Sequence, residues 1–475
     1  MDSMRSRSLA RRVMNDGKVA RSAAHLSSNR PLLRQYANVE EFGTDEPASK
    51  KLGGAQHNLI QVRRAVLRGL WSSEIFIGVS VMDALLFDAF SQLPDGEDPV
   101  AHVLRFVQER GMHRPGFLVV PVHSFGIAWA GWLTFMRNDV NVSFFIDDYG
   151  LALAAQSNSM KKTRVFLDET RQRFGISQRL PDELLSHWIR SRGLHWLETN
   201  PLLLLKAASY PGGYYENQGL LIAKLHFAAA LVFLLSTLQG TSDDDAGENL
   251  STRMINNFET LDAGHYLVFF RGPRRELDGD CVPFFNQAPP GLVEIMDLGV
   301  SISPKHWERN QDTRHRVVHA VQDVQRGYFS TRFSSDRRTP RARVFRKLFN
   351  ALALFRRSFR SRSHAEEAIV NLGAAFEILL TDNYCPCVGA SLTNRLSLAL
   401  AGLRSRKERG RLMDAVEGLY DARSQVIHTG DPPASDIDIA KAQLTFVHAF
   451  LGVAEKLSRI PKTSSQPIGD ILGGK

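Results

Sequence analysis

Along the chain, stretches with apolar residues at helical spacing alternate with stretches where they alternate or run together. Residues 56–92 read as helical, 94–99 as a polar loop and 100–110 as a short helix. Residues 117–122 and 140–146, with a turn at Asp147-Asp148-Tyr149-Gly150 and an extended stretch over 151–155, predict a small antiparallel sheet. Residues 161–238 return to helices broken at Pro181, Pro201 and Pro211-Gly212-Gly213. Within them, 220–238 approaches the length of a membrane span, yet Lys224 and His226 interrupt it, so a buried helix is expected. A polar break at 241–247 precedes a strand over 266–271; 283–304 is irregular and 314–325 helical.

From Pro340 onward the pattern is helical throughout, with helices over 342–359, 364–381, 391–401 and 408–427. Gly430 and Pro432-Pro433 stop the fourth of these. A last helix starts near Ser435 and sets Ile437, Ala440, Leu444, Val447, Leu451 and Ala454 at alternating three- and four-residue steps. Such a narrow seam suits a neighbour in the same bundle or a second copy of the chain. His448 on this helix reads as a satisfied core or interface histidine. The fold class is therefore mainly α: a C-terminal helical bundle after a larger α+β region with a small antiparallel sheet.

At 475 residues the chain exceeds a single core. The division follows composition: a basic, disordered tail over 1–50, an α+β region over 51–340 and a helical domain over 341–475. Only three cysteines are present, which excludes a disulfide framework and points to a reducing, cytoplasmic compartment. Cys385 and Cys387 supply half a metal site at most, and no second pair lies at zinc-like spacing, so neither metal nor cofactor is expected. No signal peptide or membrane partner is expected either.

The net charge of +9 is unevenly placed. Residues 1–34 hold eight Lys/Arg against two Asp, and 326–362 hold twelve against Asp336 alone, which leaves the rest of the chain net negative. The second segment carries Arg337, Arg338, Arg341, Arg343, Arg346 and Lys347, interleaved with Tyr328, Phe329, Phe333, Phe345 and Phe349. Basic side chains reach phosphates and aromatic rings stack on unpaired bases, so this is a candidate RNA-approach surface. The competing reading makes the rings core.

The candidate chemistry lies further on, in Leu419-Tyr-Asp-Ala-Arg423-Ser-Gln-Val-Ile-His428-Thr-Gly430. Arginine offers a planar fork of donors to a phosphate, and histidine gives or takes a proton near neutral pH. Together they suffice to cleave RNA without a metal. The spacing alone is not distinctive, since an Arg separated from a His by four to six residues also occurs at Arg190/His195, Arg309/His315, Arg314/His319 and Arg357/His364. The setting is distinctive: Phe376-Glu377-Ile-Leu-Leu380 and Asn394-Arg395-Leu396 lie upstream, and an amphipathic helix follows.

With these motifs the last 130 residues or so resemble the ApeA-like branch of the HEPN superfamily. The resemblance implies a metal-independent endoribonuclease acting as a homodimer through the helical domain and leaving a 2′,3′-cyclic phosphate. His428 would be the acid or base, Arg423 would stabilise the phosphorane, and Glu377 would orient Arg423 or else pair structurally with Arg395. Ser424 and Arg395 would touch RNA, while Tyr420 reads as packing. Five helical positions separate Arg423 from His428 by roughly 7.5 Å and 140°, so one chain does not present them on one stripe. The family implies prokaryotic anti-phage defence or a toxin effector, with 51–340 sensing a phage-derived or small-molecule trigger that the sequence does not identify. Two alternatives stay open: a non-catalytic RNA- or protein-binding module, or an N-terminal site at His123, Asp147 and Asp148.

Overall fold

The computed structural model describes residues 17–28, 57–67, 79–109, 114–121, 126–127, 143–146, 149–152, 160–191, 197, 202–209, 214–238, 267–271, 277–281, 301–302, 311–332, 339–359, 365–382, 388–403, 405–430 and 438–473. Its helices are α1 (Gly17–Ser28), α2 (57–67), α3 (Val79–Ser91), α4 (Pro99–Glu109), α5 (Met160–Arg173), α6 (Asp182–Ser191), α7 (Tyr214–Thr237), α8 (Gln311–Arg332), α9 (Pro340–Arg357), α10 (Ala365–Leu380), α11 (Val388–Ala399), α12 (Arg406–Thr429), α13 (Ile439–Ala454) and α14 (Pro467–Leu472). The strands are β1 (Arg114–Pro121), β2 (Gly126–Ile127), β3 (Ser143–Ile146), β4 (Tyr149–Ala152), β5 (Leu202–Ser209), β6 (Leu267–Arg271), β7 (Leu277–Cys281) and β8 (Ser301–Ile302). The chain is mainly helical with an antiparallel sheet, as its pattern predicts.

That sheet is wider than the sequence suggests. Six strands pair antiparallel in the order β3-β4-β5-β1-β6-β7, and β2 and β8 form a separate short parallel pair. The expected helix around Leu202 is instead β5, a central strand between β4 and β1. Leu202, Leu203, Leu204 and Leu205 are all buried. A continuous apolar run covered on both faces has no period of its own, so a helix and a buried strand look alike in it.

The N-terminal tail also departs from expectation. Residues 17–28 form α1, which buries Val19, Ala23 and Leu26 and packs on α4. Spacings of four and three put these three side chains on one stripe amid Arg and Ser.

Helix α7 is buried along 223–238 and joins the sheet to the C-terminal helices. Lys224 Nζ donates to the Lys206 carbonyl of β5 at 3.1 Å, and His226 Nε2 donates to the Phe349 carbonyl of α9 at 3.1 Å. Burial, with Arg356 nearby, pushes His226 down to about 3, so its imidazole is a neutral donor. Among the described residues no helix is long and apolar enough to cross a membrane. Helices α7 and α8 pack on α9 and α13, and the apolar core runs without a break across residue 340.

In the bundle α13 is the central element, packed against α7, α8, α10, α11, α12 and α14. Residues 442–447 and 449–451 are all buried. Leu444, Val447, Leu451 and Ala454 thus face the monomer's own core, while Ala440 at the start of the seam is exposed and Ile437 lies outside the described residues. Apolar residues surround the helix, and the narrow seam is one arc of that larger surface.

Candidate functional site

Helix α12 begins where Ser405 Oγ accepts the Glu408 amide at 3.2 Å and ends at Gly430, whose φ of 72° favours glycine. Its buried residues Leu412, Val416, Leu419 and Ala422 follow one stripe. The helix packs against α13, α10 and α11, and Arg423 follows the buried Ala422 at the edge of that stripe.

Arg423 reaches across to α10. Its Nη1 donates to Glu377 Oε1 at 2.7 Å and its Nη2 to Oε2 at 3.3 Å, a forked contact with the side chains 22% and 27% exposed. Glu377 is therefore the partner of Arg423 and not of Arg395. The approach depends on Gly373: a Cβ there would lie 2.4 Å from Arg423 Cδ. Tyr420, one turn earlier, donates its hydroxyl to the Gly373 carbonyl at 2.9 Å, and the Arg423 guanidinium sits 5.7 Å from its ring. Burial, helped by Glu377, raises the Tyr420 phenol well above its ordinary range, so it remains a donor. Arg423 Nε is buried without a hydrogen-bond partner.

His428 occupies the last turn of α12 and is exposed, as are Ser424 and Ile427, the latter 53% exposed. The structure thus joins Arg423 to Glu377 and Tyr420 and leaves His428 in solvent at the end of the same helix.

The other sequence candidates separate. Arg395 is turned inward: its Nη1 lies 3.0 Å from Asp382 Oδ2 and donates to the Leu380 carbonyl at 2.9 Å, with the two side chains only 12% and 3% exposed. The same Asp382 carboxylate accepts the Ile468 and Gly469 amides at 2.7 and 2.9 Å, pinning the start of α14. Arg343 donates to the Ser465 carbonyl, and burial pushes the Lys347 ammonium below its ordinary value against the pull of Asp382. Arg341, whose guanidinium lies 5.0 Å from the Phe345 ring, and Arg346 remain exposed.

The described aromatics between these cations pack on one another and on α7. Tyr328 stacks on Phe349 at 4.3 Å and 9°, Phe329 packs on Phe227, and Phe345 is buried. Arg337, Arg338, Phe333, His123, Asp147, Asp148, Cys385 and Cys387 lie outside the described residues. His448 also differs from expectation, since its Nε2 is buried with no hydrogen-bond partner.

Sequence reasoning missed Gly373 and Asp382. The only trace of the first is the small-residue run Gly373-Ala374-Ala375, and of the second its position just past the end of α10. Among the described residues no group of three His, Cys, Asp or Glu side chains is placed to hold a metal ion. No protein-family model, curated protein or solved structure matches the chain.

Proposed function

We propose that the chain is a metal-independent endoribonuclease of HEPN type whose working residues are Arg423, His428 and Glu377. The observation that carries this reading is the forked Arg423–Glu377 contact, held over Gly373 and beside Tyr420, on the helix that ends in His428. A guanidinium clamped on its inner side is preorganised for a phosphate approaching from solvent. In the reaction the 2′-hydroxyl attacks phosphorus and the P–O5′ bond breaks. His428 takes the proton from the 2′-oxygen or delivers one to the departing 5′-oxygen, while Arg423 offsets the charge on the phosphorane. The products are a 2′,3′-cyclic phosphate and a 5′-hydroxyl.

Both proton transfers want a second imidazole, which a homodimer would supply. From Leu444 on the α13 seam is buried, so the two-fold contact is assigned to the exposed end of α12, where Ile427 and Ser424 flank His428. RNA would be drawn in by exposed cations such as Arg341 and Arg346. Residues 51–340 are assigned a sensing and restraining role in an antiviral or toxin effector, and the contacts of α7 and α8 with the bundle offer a path for restraint.

The test is cleavage of RNA in EDTA by the intact protein and by His428→Ala and Arg423→Ala. Each variant should stay folded and lose about 10²–10⁴-fold in rate. Wild-type rates in either variant, or activity restored only by magnesium or manganese, would reject the assignment. A chain that binds RNA without cutting it would instead be the non-catalytic module.

A further inference from the structure

Away from α12, Arg316 of α8, His448 of α13, and Lys456 and Arg459 beyond α13 converge on a cleft of about 230 Å³. Its opposite wall is the end of α11 and the turn Leu400–Gly402, and no residue of α12 lines it. The charges are unbalanced: Arg316, Lys456 and Arg459 face Glu455 alone, a surplus of two positive charges. Glu455 is already engaged, its Oε1 accepting from Arg316 Nε at 2.8 Å and Nη2 at 2.7 Å. Lys456 Nζ donates to the Leu398 carbonyl at 3.3 Å, while no ion pair holds Arg459 among the described residues.

His448 adds a second, independent sign. His448 lines the same cleft, and its Nε2 is shielded from solvent and has no hydrogen-bond partner, which is costly for a polar atom unless something else supplies the bond. Burial and the neighbouring Arg316 push the imidazole down to about 4, so it is a neutral ring with one N–H to give. An oxyanion in the cleft would offset the surplus charge, and a small turn of the imidazole would bring that N–H to it.

We propose that this cleft binds a small phosphate dianion, either inorganic phosphate or a phosphate monoester, between Arg316, Lys456, Arg459 and the His448 imidazole. A cleft of about 230 Å³ falls below the roughly 300–1,000 Å³ of sites for drug-sized ligands, which favours a small anion. A phosphate carries about −1.5 to −2 charges at neutral pH and so matches the surplus, whereas a monocarboxylate would leave part of it uncompensated. The bound anion would also tie α8 to the end of α13, reinforcing the Arg316–Glu455 link between the two halves of the chain. This inference stands apart from the ribonuclease reading.

The experiment is calorimetric titration of the full chain with inorganic phosphate and, separately, glycerol phosphate, at constant ionic strength, with acetate as control. Saturable one-to-one binding of either phosphate in preference to acetate is expected. The solvent-exposed substitution Arg459→Ala should weaken it about tenfold or more. His448→Phe should weaken it similarly, and His448→Gln, which keeps a donor, should weaken it less. Arg423→Ala should leave it unchanged. Absence of binding, acetate binding as tightly, indifference to Arg459→Ala, or loss in Arg423→Ala, which would move the anion to the RNA site, would each overturn the proposal.

Discussion

Helices α12 and α13 lie side by side in one bundle and are buried to opposite degrees. Helix α13 is covered almost all round, from Ala442 to Val453, whereas α12 buries Leu412, Val416, Leu419 and Ala422 and shows its other faces to solvent. The first is the scaffold on which the other helices pack. The second has a polar surface wide enough to carry an arginine at the edge of the core and a histidine in water. A helix covered on most sides leaves little face for charge, so the candidate catalytic side chains lie on the neighbour with the narrow stripe. The difference also moves the candidate dimer contact from α13 to the end of α12.

Four measurements break or sharpen this contrast. The largest effect is expected from Leu444→Glu with Leu451→Glu, because two carboxylates enter a closed core. We expect a loss above about 5 kcal/mol and no cooperative circular-dichroism melt. A folded monomer would show that α13 is not the scaffold.

Acid should come next. Burial holds His226 at about 3 and His448 at about 4 in the folded chain, while both regain an ordinary value near 6.5 on unfolding. The unfolded chain therefore binds more protons between these values, and stability falls as pH drops below 6.5. By pH 5 the loss is roughly 2 kcal/mol per histidine. Denaturant titrations at pH 7 and 5 read it, and His226→Gln should flatten the slope; an unchanged slope would place the acid sensitivity elsewhere.

A smaller effect is expected at the edge of α12. Glu377→Ala removes the carboxylate under Arg423 and should cost roughly 1–3 kcal/mol, with RNA cleavage falling by more than the melt shift explains. Gly373→Ala should act through the same arginine, since its new methyl meets Arg423 Cδ. Equal cleavage by Glu377→Ala and wild type would reduce the pair to packing. Ile427→Glu should change stability least, within about 0.5 kcal/mol, because the residue is exposed. If α12 forms the two-fold contact, this variant should sediment as a monomer and lose cleavage at once; a folded, monomeric, active chain would end the shared-site mechanism.

The five long helices from Pro340 to Ala454 were legible because they carry stripes of apolar residues between recognisable stops, such as Gly430, whereas the short α14 was not foreseen. The placement of His428 at the end of a helix that Gly430 stops was legible for the same reason. Local periodicity records which face of an element is apolar. It does not record what covers that face. Only the tertiary structure gave Leu202–Leu205 to a central strand, turned Tyr328 and Phe349 inward, closed the α13 seam from Leu444 on within the monomer and paired Arg395 with Asp382 and Glu377 with Arg423. Each of these depends on a partner distant in sequence, and a single stretch of chain holds no information about that partner beyond its own shape and charge.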